Sequence, residues 1–303
     1  MNVFRDTPFG VKHNMFKILK KIHLAPQVFQ YLLHAPDIAK KALPGQFVII
    51  RLDETGERIP ITISDSDPVQ GTLTFYVQAV GKTSIEMSLM NTGDFILDIV
   101  GPLGNPSQID RFGTVVLIGG GFGIAAIHPI VRALTQAENK TISILGARTK
   151  ELVILEKEMR TVSTDVHVVT DDGSYGTRGL VTDTLQMLIE QKEPIDRVIA
   201  IGPLIMMKAV ADLTRPYNIP TLVSMNPIMI DGTGMCGACR VTVGGEMKFA
   251  CVDGPEFDGH AVDFEGLLNR LKTYIPEETE AKEKYLKDTG GQCRAAKVSQ
   301  IYG

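Results

Sequence analysis

The sequence has no tryptophan and only four cysteines in 303 residues, and those cysteines are not spread along the chain. A disulfide framework distributes its cysteines over a small secreted protein. Here Cys236, Cys239, Cys251 and Cys293 all fall in the last quarter, three of them within sixteen positions. That crowding excludes a disulfide scaffold and points to a metal or cluster site. An excess of one charge sign is missing as well: 31 Lys plus Arg face 35 Asp plus Glu, for a net charge of −4. No basic block is dense enough to follow a phosphate backbone, so nucleic acid is not an expected partner.

Long apolar runs are equally scarce. The longest uncharged stretch, the twenty residues between Arg111 and Arg132, is just long enough to cross a bilayer. Gly119, Gly120, Gly121, Gly123, His128 and Pro129 interrupt it, which suits a strand breaking into a Gly-rich loop and then a helix. No membrane association is expected. Met1 to Asn14 carry charges and no signal-like apolar run, so a cytoplasmic location is expected. No Ser/His/Asp nucleophile arrangement is evident, the six histidines are scattered, and the twelve methionines are read as core filling.

What is present is 44% hydrophobic content, ample for folded cores in a chain of about two domains' length. From Met15 to about Val100, six short runs rich in β-formers (16–22, 28–33, 47–52, 59–63, 72–80 and 95–100) alternate with Pro/Gly turns, and 83–90 reads as a helix. An antiparallel β-barrel is predicted. The rhythm then changes: strands at 115–118, 141–145, 166–170, 198–201 and 221–224 alternate with helices at 124–134, 150–159, 180–189 and 204–213, which predicts a five-stranded parallel sheet. A Gly- and Cys-rich segment follows, and then a polar helical tail over 264–287. The predicted domains are 15–108 (barrel), 112–224 (α/β) and 225–303 (cluster region and tail).

Three constellations carry chemistry. The first is Asp231, Cys236, Cys239 and Cys251, with the spacing D-x4-C-x2-C-x11-C. This is the plant-type [2Fe-2S] pattern with Asp at the first cysteine position. Thiolates suit iron, and Gly234, Gly237 and Ala238 let the loop wrap a cluster. The alternative is a zinc knuckle of three cysteines with a further ligand such as His260. Cys293 is read as a free surface thiol.

The second is Gly119-Gly120-Gly121-Phe122-Gly123, between an apolar strand and a helix, where backbone amides attract phosphate. A Rossmann dehydrogenase would place an acid at the end of the next strand, where Ala147 and Arg148 stand instead. The loop is therefore a nucleotide site of a different family or a structural turn. Arg148 could meet a 2′-phosphate. Asp172-Gly173 and Gly202-Pro203, after the third and fourth strands, could face the same nucleotide.

The third is the strand Arg58-Ile59-Pro60-Ile61-Thr62, followed by Gly81-Lys82-Thr83-Ser84 opening a helix. Arg58 suits a pyrophosphate, Thr62 the flavin ring edge and Gly81 to Ser84 a phosphate, with Pro60 and Ile61 on the same strand read as cofactor-binding.

Taken together, these motifs resemble the ferredoxin-reductase-like family that includes the electron-transfer subunit of dihydroorotate dehydrogenase. Within it, the sequence is similar to the small subunits of NADH-dependent ferredoxin:NADP oxidoreductases, electron-bifurcating transhydrogenases also described as sulfide dehydrogenase subunits. Those subunits have Asp where Asp231 stands and stretches resembling Glu57–Ile63, Gly101–Gly104, Asp172–Gly176 and Cys251–Phe257. The likeness runs from about Met15 to about Lys287. It implies FAD on the barrel, NAD(H) on the parallel-sheet domain and a [2Fe-2S] cluster nearby, with hydride exchanged directly between nicotinamide and flavin and no catalytic side chain required. It further implies a larger partner subunit with a second flavin and [4Fe-4S] clusters, and ferredoxin as an indirect partner. Two positions depart from the pattern. Arg58 stands four residues before Thr62 rather than three, and Ile201-Gly202-Pro203 replaces a frequent Cys-Gly-Pro. A dihydroorotate dehydrogenase subunit, which has Cys at the Asp231 position, and an electron relay without nicotinamide binding are the alternatives.

Overall fold

A computed structural model describes residues 3–6 and 12–290, so Cys293 lies outside the described residues. The chain divides into two compact units, one of residues 1–103, 228–239 and 269–303, the other of 104–227 and 240–268. The residues that follow the parallel sheet are thus shared between the two units.

In the first unit the strands are β1 (Val3–Asp6), β2 (Lys12–Ala25), β3 (Val28–His34), β4 (Phe47–Arg51), β5 (Ile59–Thr62), β6 (Asp65–Asp67), β7 (Thr72–Gln78), β8 (Phe95–Ile96) and β9 (Asp98–Leu103), with helices α1 (Pro36–Ala39) and α2 (Lys82–Leu89). All pairings are antiparallel. One sheet runs β1-β2-β3-β7-β6 with β8 on β2, and the other runs β5-β4-β9. The expected barrel is therefore built from two separately hydrogen-bonded sheets. They enclose one core in which Tyr31, Leu33, Leu73 and Phe75 meet Val48, Ile50, Leu52 and Ile61. Alternating apolar residues put one face of each strand into this core.

Helix α2 is fixed at several points. The hydroxyl of Tyr31, itself fully buried, donates to the Met87 carbonyl at 2.7 Å. Lys21 Nζ donates to the carbonyls of Ser88 (2.6 Å) and Met90 (2.8 Å) while lying over the Phe29 ring. A cation on the last carbonyls of a helix satisfies acceptors that have no intrahelical donor and suits the negative end of its dipole.

The second unit contains β10 (Thr114–Gly120), α3 (Gly123–Gln136), β11 (Lys140–Ala147), α4 (Glu156–Val162), β12 (Asp165–Thr170), β13 (Thr177–Arg178), α5 (Val181–Glu190), β14 (Arg197–Ile201), α6 (Leu204–Thr214), β15 (Thr221–Ser224), β16 (Arg240–Val243), β17 (Glu246–Phe249) and β18 (Glu256–Asp258). The sheet order is β13-β12-β11-β10-β14-β15-β18. The five expected parallel strands are present, extended by the short parallel β13 and by β18, which pairs antiparallel with β15. Every residue of β10 is buried, as befits a central strand covered on both faces.

Two expected helices are altered. The segment 150–159 forms only a 3-10 turn before α4 starts at Glu156, because Ile154 and Leu155 turn inward and Leu155 adopts φ +57. The tail is broken into α7 (Phe264–Lys272) and α8 (Ile275–Thr289). Pro276 sits in the first turn of α8, where its missing N–H costs no hydrogen bond but where it cannot continue a preceding helix.

Candidate functional site

In the second unit the strand order reverses direction at β10: β11 and β12 lie to one side, β14 and β15 to the other. Ligands of open parallel sheets bind beyond the carboxyl ends of the strands at such a switch point. Gly120, Gly121, Gly123, Gly202 and Pro203 meet there. Gly119 pairs with Ile201, and the loops after β10 and β14 touch.

The glycines of this loop do two different jobs. A Cβ on Gly123 would lie 2.0 Å from the Ile201 carbonyl oxygen, and one on Gly120 would lie 2.3 Å from Met206 Sδ, so both positions are demanded by packing within the protein. Gly121 has φ +55 and no atom within 4 Å of where a Cβ would stand. Its amide donates to the Gly146 carbonyl at 2.7 Å, which pins the turn to β11. An open position at a strand-to-helix turn that only glycine adopts readily leaves room for a phosphate group to approach the backbone.

Arg148 and Asp172-Gly173 lie along the same sheet edge, after β11 and β12, and are exposed. Asp172 is held by hydrogen bonds from Ser174, which draw its carboxyl below the usual range. Tyr175 is fixed by Thr170, whose Oγ1 donates to the Tyr175 carbonyl at 2.6 Å and accepts the Tyr175 amide at 3.1 Å.

In the first unit, β5 carries Pro60, Ile61 and Thr62 in register with β4, with Thr62 opposite Phe47. Arg58 Nε donates to the Ile230 carbonyl at 2.9 Å. At the start of α2, Ser84 Oγ accepts the amides of Val80 (3.0 Å) and Gly81 (2.9 Å), which caps the helix. Lys82 Nζ and Thr83 Oγ1 both donate to the Glu57 carboxylate, at 3.2 and 2.6 Å. Lys82 and Thr83 thus already present donors to an anion, a donor set suited to a flavin diphosphate. Glu57 went unassigned in the sequence; its place next to Arg58 was the available signal, but its partners lie 25 and 26 residues away. Lys282, on α8, also reaches this turn, donating to the Val80 carbonyl at 3.1 Å.

The loop 231–239 belongs to the first unit as well. Asp231 Oδ1 accepts the Thr233 amide at 2.8 Å and Oδ2 accepts the Cys236 amide at 2.9 Å, and these bonds lower its pKa. Gly232, Gly234 and Gly237 all have positive φ. A Cβ on Gly232 would lie 2.5 Å from Leu103 Cδ1, so the loop seats closely on β9. Arg270 Nη2 donates to the Ala238 carbonyl at 3.0 Å. Cys236 is exposed, and Cys239 and Cys251 are buried. Among the described residues, no three His, Cys, Asp or Glu side chains are grouped as a metal set. The fit to a cluster rests on the donor types, the thiols of Cys236 and Cys239 in a glycine-shaped loop and that of Cys251 after β17, which suit iron with sulfide. His260 is engaged elsewhere: its Nε2 lies 2.9 Å from Thr214 Oγ1, and Thr214 Oγ1 in turn accepts from Thr221 Oγ1 at 2.6 Å.

Comparison with known proteins agrees with this arrangement. Residues 226–263 match the iron-sulfur cluster binding domain of dihydroorotate dehydrogenase B, and residues 117–212 match the oxidoreductase NAD-binding domain. A Thermotoga maritima protein described as a dihydroorotate dehydrogenase B (NAD(+)) electron transfer subunit homolog is 52% identical over 274 residues, covering 90% of this chain and 96% of the relative. The Bacillus caldolyticus dihydroorotate dehydrogenase B (NAD(+)) electron transfer subunit is 32% identical over 243 residues, covering 77% and 92%. A solved structure of an NADH-dependent reduced ferredoxin-NADP oxidoreductase, reported for flavin-based electron bifurcation, superposes with TM-score 0.84 at 50% identity and covers 89% of this chain and 97% of its own. Phthalate dioxygenase reductase, at 17% identity and TM-score 0.55 over 76% of this chain and 86% of its own, shares the fold. No helix among the described residues is long and apolar enough to cross a membrane. The chain belongs to the family of dihydroorotate dehydrogenase B electron-transfer subunits, oxidoreductases of ferredoxin-reductase-like fold that combine an NAD-binding domain with an iron-sulfur cluster binding domain.

Proposed function

We propose that this chain is the NAD(H)-reactive flavin and iron-sulfur subunit of a cytoplasmic, flavin-based electron-bifurcating transhydrogenase, paired with a larger flavin and [4Fe-4S] subunit that deals with ferredoxin. The observation that carries the nicotinamide half of this reading is the open, left-handed Gly121 at the β10/β14 switch point. A module that only relayed electrons would have no use for such a cradle.

With FAD, NAD(H) and a [2Fe-2S] cluster bound, hydride exchange at the flavin and single-electron passage through the cluster supply the chemistry. The chain's own residues bind and orient. Gly120, Gly121 and Gly123 open the turn to the NAD(H) diphosphate, and Gly202-Pro203 shapes the facing loop. Arg58, with Nε committed to Ile230, offers its terminal guanidinium nitrogens to the flavin diphosphate beside Lys82 and the capped turn of α2. Pro60, Ile61 and Thr62 line the flavin ring edge. Cys236, Cys239 and Cys251 hold the cluster with Asp231 as the fourth ligand. The 50% identical bifurcating oxidoreductase supports this assembly, beside a 52% identical relative described as a dihydroorotate dehydrogenase B electron transfer subunit homolog and a Bacillus caldolyticus subunit at 32%.

The test is anaerobic addition of NADH to the isolated, flavin-loaded chain. Bleaching of the flavin band and NADH-dependent dye reduction, without sustained ferredoxin reduction by this chain alone, are expected. A flavin that NADH leaves oxidised would reduce the chain to an electron relay.

A further inference from the structure

Cys251 is buried and lies two residues beyond β17. The turn that follows it is held by a single residue from a distant part of the chain. Asn105 stands two residues after β9, where the connection to β10 begins, and carries three N–H donors, one on the backbone and two on the side-chain amide. All three go to consecutive carbonyls. The Asn105 amide donates to Gly254 at 2.7 Å, and Nδ2 donates to Val252 at 3.2 Å and to Asp253 at 3.1 Å.

The rest of the turn is satisfied from nearer by. The amides of Val252 and Asp253 donate to the Phe249 carbonyl at 3.0 and 2.8 Å, and the Phe249 amide donates to Asp253 Oδ2 at 2.6 Å. The Met225 amide donates to the Pro255 carbonyl at 2.8 Å. Every carbonyl from Val252 to Pro255 thus has a donor, and Asn105 supplies three of the four. Asn105 itself is exposed, so it adds little to a hydrophobic core. What its bonds fix is the orientation of the peptide groups that directly follow a thiol. Hydrogen bonds behind a metal ligand set the direction of that ligand and tune the metal it binds.

Resting on the cluster reading above, we propose that Asn105 is a positioning residue for the iron-sulfur centre: by clamping the turn 252–254 it fixes the direction of the Cys251 thiolate and so sets the potential and retention of the cluster. The role requires donors. An Asp at this position has the same shape but turns a carboxylate, which only accepts, toward two carbonyls that also only accept. Ser107, two residues further along the same connection, makes a separate attachment through its hydroxyl to Glu256 and does not hold the turn 252–254.

The test compares the full wild-type chain with Asn105→Asp, Asn105→Ala and Ser107→Ala, all purified anaerobically. Iron and labile sulfide are quantified, the dithionite-reduced proteins are examined by paramagnetic resonance, the cluster is titrated for its potential, and iron loss to a chelator is followed. Because Asn105 is exposed, its replacement leaves no cavity and both variants should fold. Both should shift the resonance spectrum and the potential, Asp more than Ala, and iron retention against the chelator should fall about 10–100-fold. Ser107→Ala should match the wild type in spectrum and potential. A wild-type spectrum and potential in Asn105→Asp would overturn the assignment. So would an equal shift in all three variants, since that would trace the effect to a loosened connection and not to the clamp on the turn. A wild type that holds zinc and no labile sulfide would overturn the cluster reading beneath it.

Discussion

Arg58 Nε donates to the Ile230 carbonyl at 2.9 Å across 172 residues of sequence, joining the strand assigned to the flavin to the residue that precedes Asp231. In the proposed function one guanidinium has two tasks, since Nε holds the residue before the cysteine loop and the terminal nitrogens are assigned to the flavin diphosphate. Arg58→Lys keeps the charge but loses the planar fork, so FAD affinity should fall about tenfold, the scale of a lost charge-assisted hydrogen bond. The paramagnetic signature of the cluster should shift in the same variant. Flavin retention on gel filtration and a resonance spectrum of the reduced protein check both effects; loss of FAD with an unchanged cluster would show that the Ile230 bond is incidental.

Two glycines of one loop should behave oppositely. Gly123→Ala places a Cβ against the Ile201 carbonyl, an overpacking that costs at least ~1–3 kcal/mol and should lower Tm. The Cβ of Gly121→Val meets no protein atom within 4 Å, so the main cost is the left-handed backbone, at least about 1–2 kcal/mol for a β-branched residue, and its side chain enters the open position. That variant should stay folded and keep FAD while losing reduction by NADH. Thermal melts and NADH bleaching separate the two, and normal NADH bleaching in Gly121→Val would leave the loop a structural turn.

Asp231 already uses both carboxylate oxygens on its own loop, at Thr233 and Cys236. Each oxygen keeps a further lone pair for iron. Asp231→Cys should retain two irons but change the resonance spectrum and the potential, because thiolate is a softer ligand than carboxylate. Asp231→Ala removes both the ligand and the cap and should make the cluster labile. Spectra and potentials unchanged in both variants would reduce Asp231 to a turn cap.

Glu256, on β18, is a partly buried acid. Its carboxyl accepts from the Ser107 hydroxyl at 2.5 Å, but burial outweighs that bond and the nearby Arg197 and pushes its pKa above the ordinary value of 4.5. The folded state then binds this proton more tightly than the unfolded state does, so stability falls as pH rises from the unfolded toward the folded pKa. Glu256→Gln should flatten that decline, with its Tm advantage over wild type absent below the ordinary carboxyl pKa of 4.5 and growing as pH rises above it. A pH-independent difference in Tm would show that folding leaves the carboxyl's pKa unshifted.

Patterns of local spacing were readable because they are written within a few residues: the alternation of strands and helices, the Gly119–Gly123 turn and the cysteine spacing. Pairings at long range were not. Nothing in the local sequence couples Lys82 and Thr83 to Glu57, Lys282 to Val80, or Ser107 to Glu256. The strand β18 is not legible in the sequence because three residues after a cysteine-rich loop carry no periodicity, although they complete the edge of the sheet beside β15. The late start of α4 is illegible for a related reason. Lys150 to Met159 has helical composition, but the burial of Ile154 and Leu155 prevails over propensity.

The central claim is that one chain joins NAD(H), a flavin and an iron-sulfur cluster, and anaerobic reduction by NADH followed by paramagnetic resonance tests it most directly, with iron, acid-labile sulfide, zinc and FAD quantified on the same sample. The account predicts one FAD, two irons and two sulfides per chain, and a reduced-cluster signal that appears on adding NADH. Zinc in place of iron with no labile sulfide, or a cluster signal that dithionite elicits and NADH does not, would contradict it.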